Sequence, residues 1–273
     1  MTPMNDKILL QIDPDGNATL TLNRPEVHNA FDPGMVGALT AALEKVAADA
    51  NVRAVVVTGA GKSFCAGADI AHMKQSATFS PEQNFDAAMH TARMLYALYS
   101  LPKPTIACVR GAVRGGGVGV VSACDIGVCA RGATFRLSEV KLGIIPAMIS
   151  PYVIAAIGER AARRYMMTGE EFDAAEACRI GLVHEVAGED ALATAVARIL
   201  TQLASSGPDA VAAIKRQIPL SARAAIGREI VEQTSRSIAE IRATAEAQEG
   251  LSAFLEKRKP AWARPPQEPK PRT

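Results

Sequence analysis

Hydrophobic positions fall into two rhythms along this chain, with polar breaks between them. Short apolar runs at 8–12 and 18–22 flank Asp13-Pro14-Asp15-Gly16, the signature of a hairpin. Over 33–50, Met35, Leu39, Leu43 and Val46 recur at helical spacing, behind Asp32 as N-cap and Pro33 at the first helical position. Arg53-Ala54-Val55-Val56-Val57-Thr58-Gly59 reads as a buried strand running into a glycine-rich loop. A helix follows over 83–100, bounded by Pro102 and Pro104, and then a second buried strand over 105–110. Three glycines lead into a helix over 116–124, with short strands at 126–130 and 134–137. Beyond Gly158 the pattern is almost wholly helical, and Gly207-Pro208 marks a boundary.

Strands alternating with helices, then helices alone, predict an α/β core over 1–207 with a helical region over 208–262. Residues 263–273 are Pro-rich and polar, and are expected to be extended or disordered. Hydrophobic residues make up 48% of the 273 and charged residues 21%, which fits a globular chain. The net charge of +2 gives no global sign of nucleic-acid or membrane binding, and aromatics at 4% leave little for a base-stacking surface. Five unpaired-looking cysteines, with no CxxC spacing, suit a reducing compartment. The start has no basic segment followed by an apolar one, so a cytoplasmic location is expected.

Two glycine-rich loops carry the chemistry. The first, Thr58 to Ile70, contains Gly61-Lys62-Ser63, but a phosphate-cradling loop needs a glycine where Val56 stands inside the strand. The second, Gly111 to Val120, lacks the last glycine of a dinucleotide fingerprint, with Val120 in its place. Both nevertheless put small residues between a buried strand and the next element. Backbone N–H groups there can approach a ligand closely, and two such loops can aim two donors at one oxygen.

Cys65-Ala66-Gly67-Ala68-Asp69-Ile70, followed by Gly115-Gly116-Gly117 and Cys124-Asp125-Ile126, resembles the enoyl-CoA hydratase/isomerase (crotonase) family. So do Leu22-Asn23-Arg24-Pro25-Glu26-Val27-His28-Asn29-Ala30, Leu101-Pro102-Lys103-Pro104-Thr105-Ile106-Ala107 and Gly250-Leu251-Ser252-Ala253-Phe254-Leu255-Glu256-Lys257-Arg258. The motifs run in order over about residues 8–262. The resemblance implies a spiral of ββα turns, a C-terminal helical part that forms homotrimers or dimers of trimers, and an acyl-CoA thioester substrate. It implies an oxyanion hole made by the N–H groups of Ala68 and Gly116. It also implies coenzyme A contacts at Arg24, Val27, His28, Ala30, Ala66, Asp69, Ile70 and Lys257, coenzyme A being part of the substrate and no separate cofactor being needed.

In two-carboxylate hydratases of this family one catalytic Glu stands two residues after the glycine triplet. Here that position is Gly119. The resemblance gives Glu139, between a strand and an apolar segment, the catalytic acid/base role, and desolvation there would raise its pKa. A lone carboxylate suits an isomerase that shuttles one proton. The stretch from Ser138-Glu139-Val140 to Arg164-Tyr165 instead resembles methylglutaconyl-CoA and isohexenylglutaconyl-CoA hydratases. Their substrates carry a carboxylate, which makes Arg114 and Arg136 candidate partners, beside Gly119 at the substrate. The reading is therefore a hydratase, with an isomerase and a non-catalytic relative as alternatives. No two of His28, His72, His90 and His184 have metal-ligand spacing, so no metal is expected. From Lys257 onward six basic residues face Glu268 alone, a local +5 against −3 for the rest, which suits a polyanionic ligand near Lys257.

Overall fold

The computed structural model describes residues 2–4 and 6–263. The chain begins with β1 (Thr2–Met4), β2 (Ile8–Ile12) and β3 (Asn17–Leu22). The expected hairpin forms: Asp13 accepts the Asn17 N–H on its carboxylate at 2.8 Å, and β2 pairs antiparallel with β3. Strand β3 alternates inward and outward, so Ala18, Leu20 and Leu22 enter the core. Helix α1 (Pro33–Ala48) starts where Asp32 caps the Met35 N–H at 2.7 Å. It buries Met35, Leu39, Leu43 and Val46.

Strand β4 (Ala54–Gly59) lies between parallel neighbours, which is why four successive residues from Ala54 are buried rather than every second one. Then come α2 (Ile70–Ser76), α3 (Pro81–Tyr99) with a Ser80/Gln83 capping box, and β5 (Thr105–Val109). After β5 the chain makes β6 (Ala112–Arg114), α4 (Gly116–Ala123), β7 (Ile126–Ala130) and β8 (Thr134–Arg136). Next are α5 (Ser150–Thr168), β9 (Glu171–Asp173), α6 (Ala174–Arg179), β10 (Glu185–Ala187) and α7 (Leu192–Ala204). Helices α8 (Pro208–Arg223), α9 (Arg228–Arg242) and α10 (Ala245–Leu255) complete the described chain.

Seven strands form one sheet in the order β1-β2-β3-β4-β5-β7-β10, and β6-β8-β9 form a second. The expected α/β spiral is present. Beyond Gly158 the structure differs from the wholly helical reading: β9 and β10 close one edge of each sheet. Each has three residues and one inward side chain, Phe172 and Ala187, too few to register as alternation. Helices α8 and α9 bury no residue at all, and α10 buries only Ala253. Their apolar positions Ile214, Ile218, Val231 and Ile238 are exposed. The Pro-rich end, from 264 onward, lies outside the described residues. Among the described residues no helix is long and apolar enough to cross a membrane.

Candidate active site

The first glycine-rich loop is threaded between two other segments. On one side Cys65 forms a parallel bridge with Val113, and the Arg114 N–H donates to the Cys65 carbonyl at 2.8 Å. On the other side Ala68 bridges Phe31: the Phe31 N–H donates to the Gly67 carbonyl at 2.7 Å and the Asp69 N–H to the Phe31 carbonyl at 2.9 Å. A parallel bridge of this kind uses the groups either side of Ala68, so the Ala68 N–H itself points away from Phe31. Ala68 is exposed. Gly67 must be glycine here, with φ +89° and a would-be methyl 3.1 Å from the Arg114 carbonyl oxygen.

The second loop turns from β6 into α4 at Gly115, whose φ is +46°. Its N–H is held by the Arg136 carbonyl at 2.9 Å. Gly116 is then the first residue of α4, so its N–H is one of the helix's unpaired first-turn donors. Phe31 meets this loop too: its ring lies 3.4 Å from where a Gly116 methyl would be. One residue thus brackets Ala68 with its backbone and abuts Gly116 with its side chain.

Glu139 opens a 3-10 turn, Glu139–Leu142, directly after β8. Its carboxylate rests on the second loop, since a methyl on Gly115 would come within 2.9 Å of Oε1. The other oxygen, Oε2, is buried without a hydrogen-bond partner among the described residues. Burial therefore pushes the Glu139 carboxyl above the usual carboxylate range. A half-buried acid with an idle oxygen, set against the loop that carries the Gly116 N–H, has the chemistry to hold and release a proton. Apolar side chains stand exposed on both flanks, Ile70 at 72% after the first loop and Ile145 at 73% after Glu139.

The remaining sequence-derived positions are distributed around this centre. Gly119 is buried in α4, and Ile149 fills the space beside it: a methyl there would lie 2.2 Å from Ile149 Cγ2. Arg114 holds the Thr134 carbonyl and hydroxyl and pairs with Glu171. Arg136 donates through Nε to the Gly169 carbonyl at 2.8 Å. His28 Nδ1 lies 3.0 Å from the Ser63 hydroxyl, and its carbonyl accepts the Ala66 N–H at 2.9 Å. Val27 ends a 3-10 turn and Ala30 is buried. Arg24 turns inward to the Ala30 carbonyl, Asp32 and Asp69. Burial opposes ionisation of Asp69, but Arg24 and the His72 and Ala71 N–H groups outweigh it and hold its carboxyl below the usual range. Lys257 lies just past α10, on the C-terminal helices rather than on the loops around Glu139.

Asn29, Phe31 and Ile149 join the site without a sequence signal that marks them individually. Asn29 is fully buried with φ +57°, and its amide donates to the Ala60 and Ser63 carbonyls at 2.8 Å each. Its presence beside a proline-led turn is the one local hint, because Asn tolerates the left-handed region. A cavity of about 630 Å³ opens elsewhere, between α5, β9 and α6, but its Arg164 and Arg179 are paired with Glu170 and Glu176. Among the described residues no cluster of His, Cys, Asp and Glu could hold a metal ion.

The enoyl-CoA hydratase/isomerase family profile matches residues 14–265. An enoyl-CoA hydratase from Shewanella pealeana superposes with a TM-score of 0.91 at 39% identity, covering 94% of this chain and 96% of that one. The chain is 34% identical to the (E)-benzylidenesuccinyl-CoA hydratase of Thauera aromatica, over 90% of this chain and 94% of that protein. It is 32% identical to the short-chain-enoyl-CoA hydratase of Clostridium acetobutylicum, over 89% of this chain and 92% of that protein. The two sheets, the paired glycine loops and these matches together make the chain a member of the enoyl-CoA hydratase/isomerase family, an enoyl-CoA hydratase-like enzyme of α/β crotonase fold that acts on acyl-CoA thioesters.

Proposed function

We propose that the protein adds water across the double bond of a 2-enoyl-CoA, with Glu139 as its acid/base. The observation that carries this is the idle, buried oxygen of Glu139 set against the loop that presents the Gly116 N–H. The Glu139 carboxylate takes a proton from water, and the hydroxide adds to C3. The electron pair of the double bond moves to the thioester oxygen, where the Ala68 and Gly116 N–H groups stabilise the enolate. Protonated Glu139 then gives its proton to C2. Water is consumed, the carboxylate is regenerated, and charge balances. Val27, His28, Ala30, Ala66 and Ile70 sit along the first loop and the turn that supports it, where the coenzyme A moiety would lie, with Lys257 contributed from the C-terminal helices. The exposed apolar faces of α8 and α9 support self-association, as a homotrimer or a dimer of trimers.

A carboxylated substrate of the methylglutaconyl type is the finer reading, with Arg136, whose guanidinium meets only the Gly169 carbonyl among the described residues, the freer cation and Arg114 already engaged with Glu171. A second reaction is favoured by one observation: Ile149 occupies the space at Gly119, leaving Glu139, with its unpartnered oxygen, as the carboxylate against the second loop. A lone carboxylate suits migration of a 3-enoyl double bond into conjugation. Crotonyl-, 3-enoyl- and 3-methylglutaconyl-CoA, offered to the wild type and Glu139→Gln, decide the matter. Loss of the conjugated-enoyl absorbance in the wild type alone supports hydration. Its gain from the 3-enoyl substrate supports isomerisation. Full turnover by Glu139→Gln would remove Glu139 from the mechanism, whereas no turnover of any of the three by the wild type would favour a non-catalytic role.

A further inference from the structure

We infer that Arg24 is a positioning residue for the oxyanion hole: its guanidinium fixes the direction of the Ala68 N–H, and it is not a ligand contact. The inference rests on the reading of Ala68 and Gly116 as the two donors. Arg24 donates to the Ala30 carbonyl at 2.7 Å and pairs with Asp69 at 2.9 Å and Asp32 at 3.3 Å. These three acceptors lie on the two strands of the bridge that holds Ala68. Ala30 and Asp32 flank Phe31, the residue on which Ala68 is bridged, and Asp69 follows Ala68 directly. One planar, multidentate group therefore locks both strands of the bridge, with a fixed geometry that the compact, freely rotating ammonium of a lysine reproduces only in part.

The root of Arg24 is fixed as firmly as its tip. Its N–H donates to Asn29 Oδ1 at 2.8 Å, its carbonyl accepts the Asn29 N–H at 2.8 Å, and Asn29 is stapled to the 60–63 loop. Asp69 is also tied down at its far oxygen, which caps the Ala71 N–H at 2.8 Å. The cluster is internally neutral, because Lys7 joins Asp32 at 2.6 Å, giving two cations to two carboxylates. The Arg24 side chain is only 16% exposed. A guanidinium so shielded and so matched has little left to offer a phosphate.

The test uses Arg24→Lys and Arg24→Gln in the full chain. Kinetics are followed on crotonyl-CoA, and affinity for free coenzyme A by calorimetry. The thioester carbonyl stretch of bound crotonyl-CoA is read by isotope-edited infrared difference in a Glu139→Gln background, where turnover is blocked. A positioning role predicts kcat lowered by roughly 10- to 100-fold, the loss expected of a misaimed donor. KM and coenzyme A affinity stay as in the wild type. The carbonyl band, shifted to lower frequency in Glu139→Gln, returns toward its free value in Glu139→Gln/Arg24→Gln. Arg24→Lys falls between. Weaker coenzyme A binding with unchanged kcat would overturn the inference and make Arg24 a ligand contact. An unmoved band with unchanged kcat would overturn it equally. If Arg24→Gln does not fold, Asp69→Asn keeps the helix cap and removes the ion pair, and the same readouts apply. No carbonyl shift in Glu139→Gln itself, with no turnover by the wild type, would instead reject the oxyanion-hole reading on which this one stands.

Discussion

A single methyl group added at Gly119 probes how α4 is seated. The side chain of Gly119→Ala would lie 2.2 Å from Ile149 Cγ2 and 2.8 Å from Ile149 Cβ. Ordinary carbon contacts lie near 3.5–4.0 Å, so the overlap is roughly 1.5 Å. Rotating Ile149 moves Cγ2 but not Cβ, so backbone must shift as well. Gly119 and Ile149 are both buried, and Ile149 is only 3% exposed, so neither can yield into solvent. Such overpacking costs about 1–3 kcal/mol, while alanine in place of a helical glycine returns about 1 kcal/mol. The expected net loss is about 0–2 kcal/mol, toward the upper end because both the Cβ and the Cγ2 of Ile149 are overlapped. Ile149→Ala alone leaves a cavity and costs about 2–5 kcal/mol. In the double variant the new methyl occupies part of that cavity, so the two losses are less than additive. Urea unfolding at fixed protein concentration, run as a double-mutant cycle, measures the coupling. A Gly119→Ala protein as stable as the wild type, with strictly additive losses, would refute the packing argument. Because α4 also carries Gly116, Gly119→Glu is expected to lower turnover rather than create a second acid.

Glu139→Gln should lower kcat by about 10²–10⁴-fold, the usual range for a positioned acid/base, and unchanged kcat refutes the role. The sign of its stability effect follows from its raised pKa: a folded state that binds the proton more tightly has that advantage at low pH and loses it as pH rises through the folded-state value. The Tm of Glu139→Gln relative to the wild type should therefore be higher at pH 8 than at pH 4, and the opposite trend excludes desolvation as the cause. For the same reason the acid limb of the wild-type kcat/KM profile should lie above the ordinary carboxylate range. Gly115→Ala forces a side chain to φ +46° and against Glu139 Oε1, so activity should be lost with measurable loss of Tm; wild-type kinetics would refute the contact. Burial pushes the Cys65 thiol up to about 12, so iodoacetamide at pH 8 should label it only after unfolding, and rapid native labelling would contradict its burial.

Long apolar runs and helix caps are legible in the amino-acid pattern by itself. The hairpin around Asp13, α1 behind Asp32 and the β4 and β5 strands all carry several residues of one rhythm, so local pattern and tertiary burial agree. Strands β6, β9 and β10 are hidden because three residues with one inward side chain make no rhythm. At the candidate site, motifs name Glu139, Ala68 and Gly116 but not what surrounds them. Phe31 matters through two contacts distant in sequence, and Ile149 through a glycine thirty positions earlier. Arg24 stands in a polar turn like any surface cation, and its inward orientation depends on carboxylates eight and forty-five residues away.

Helices α8 and α9 bury none of their own side chains. Helix α8 is tied to the core through Lys215, which reaches Asp125 and the Lys103 carbonyl, and without further cover a helix of that length is marginal in water. Anything that covers their apolar faces stabilises them by mass action, a second copy of the chain included. The order of α8 and α9 is therefore expected to depend on concentration: dilution should loosen them while the sheets, which carry their own core, stand unchanged.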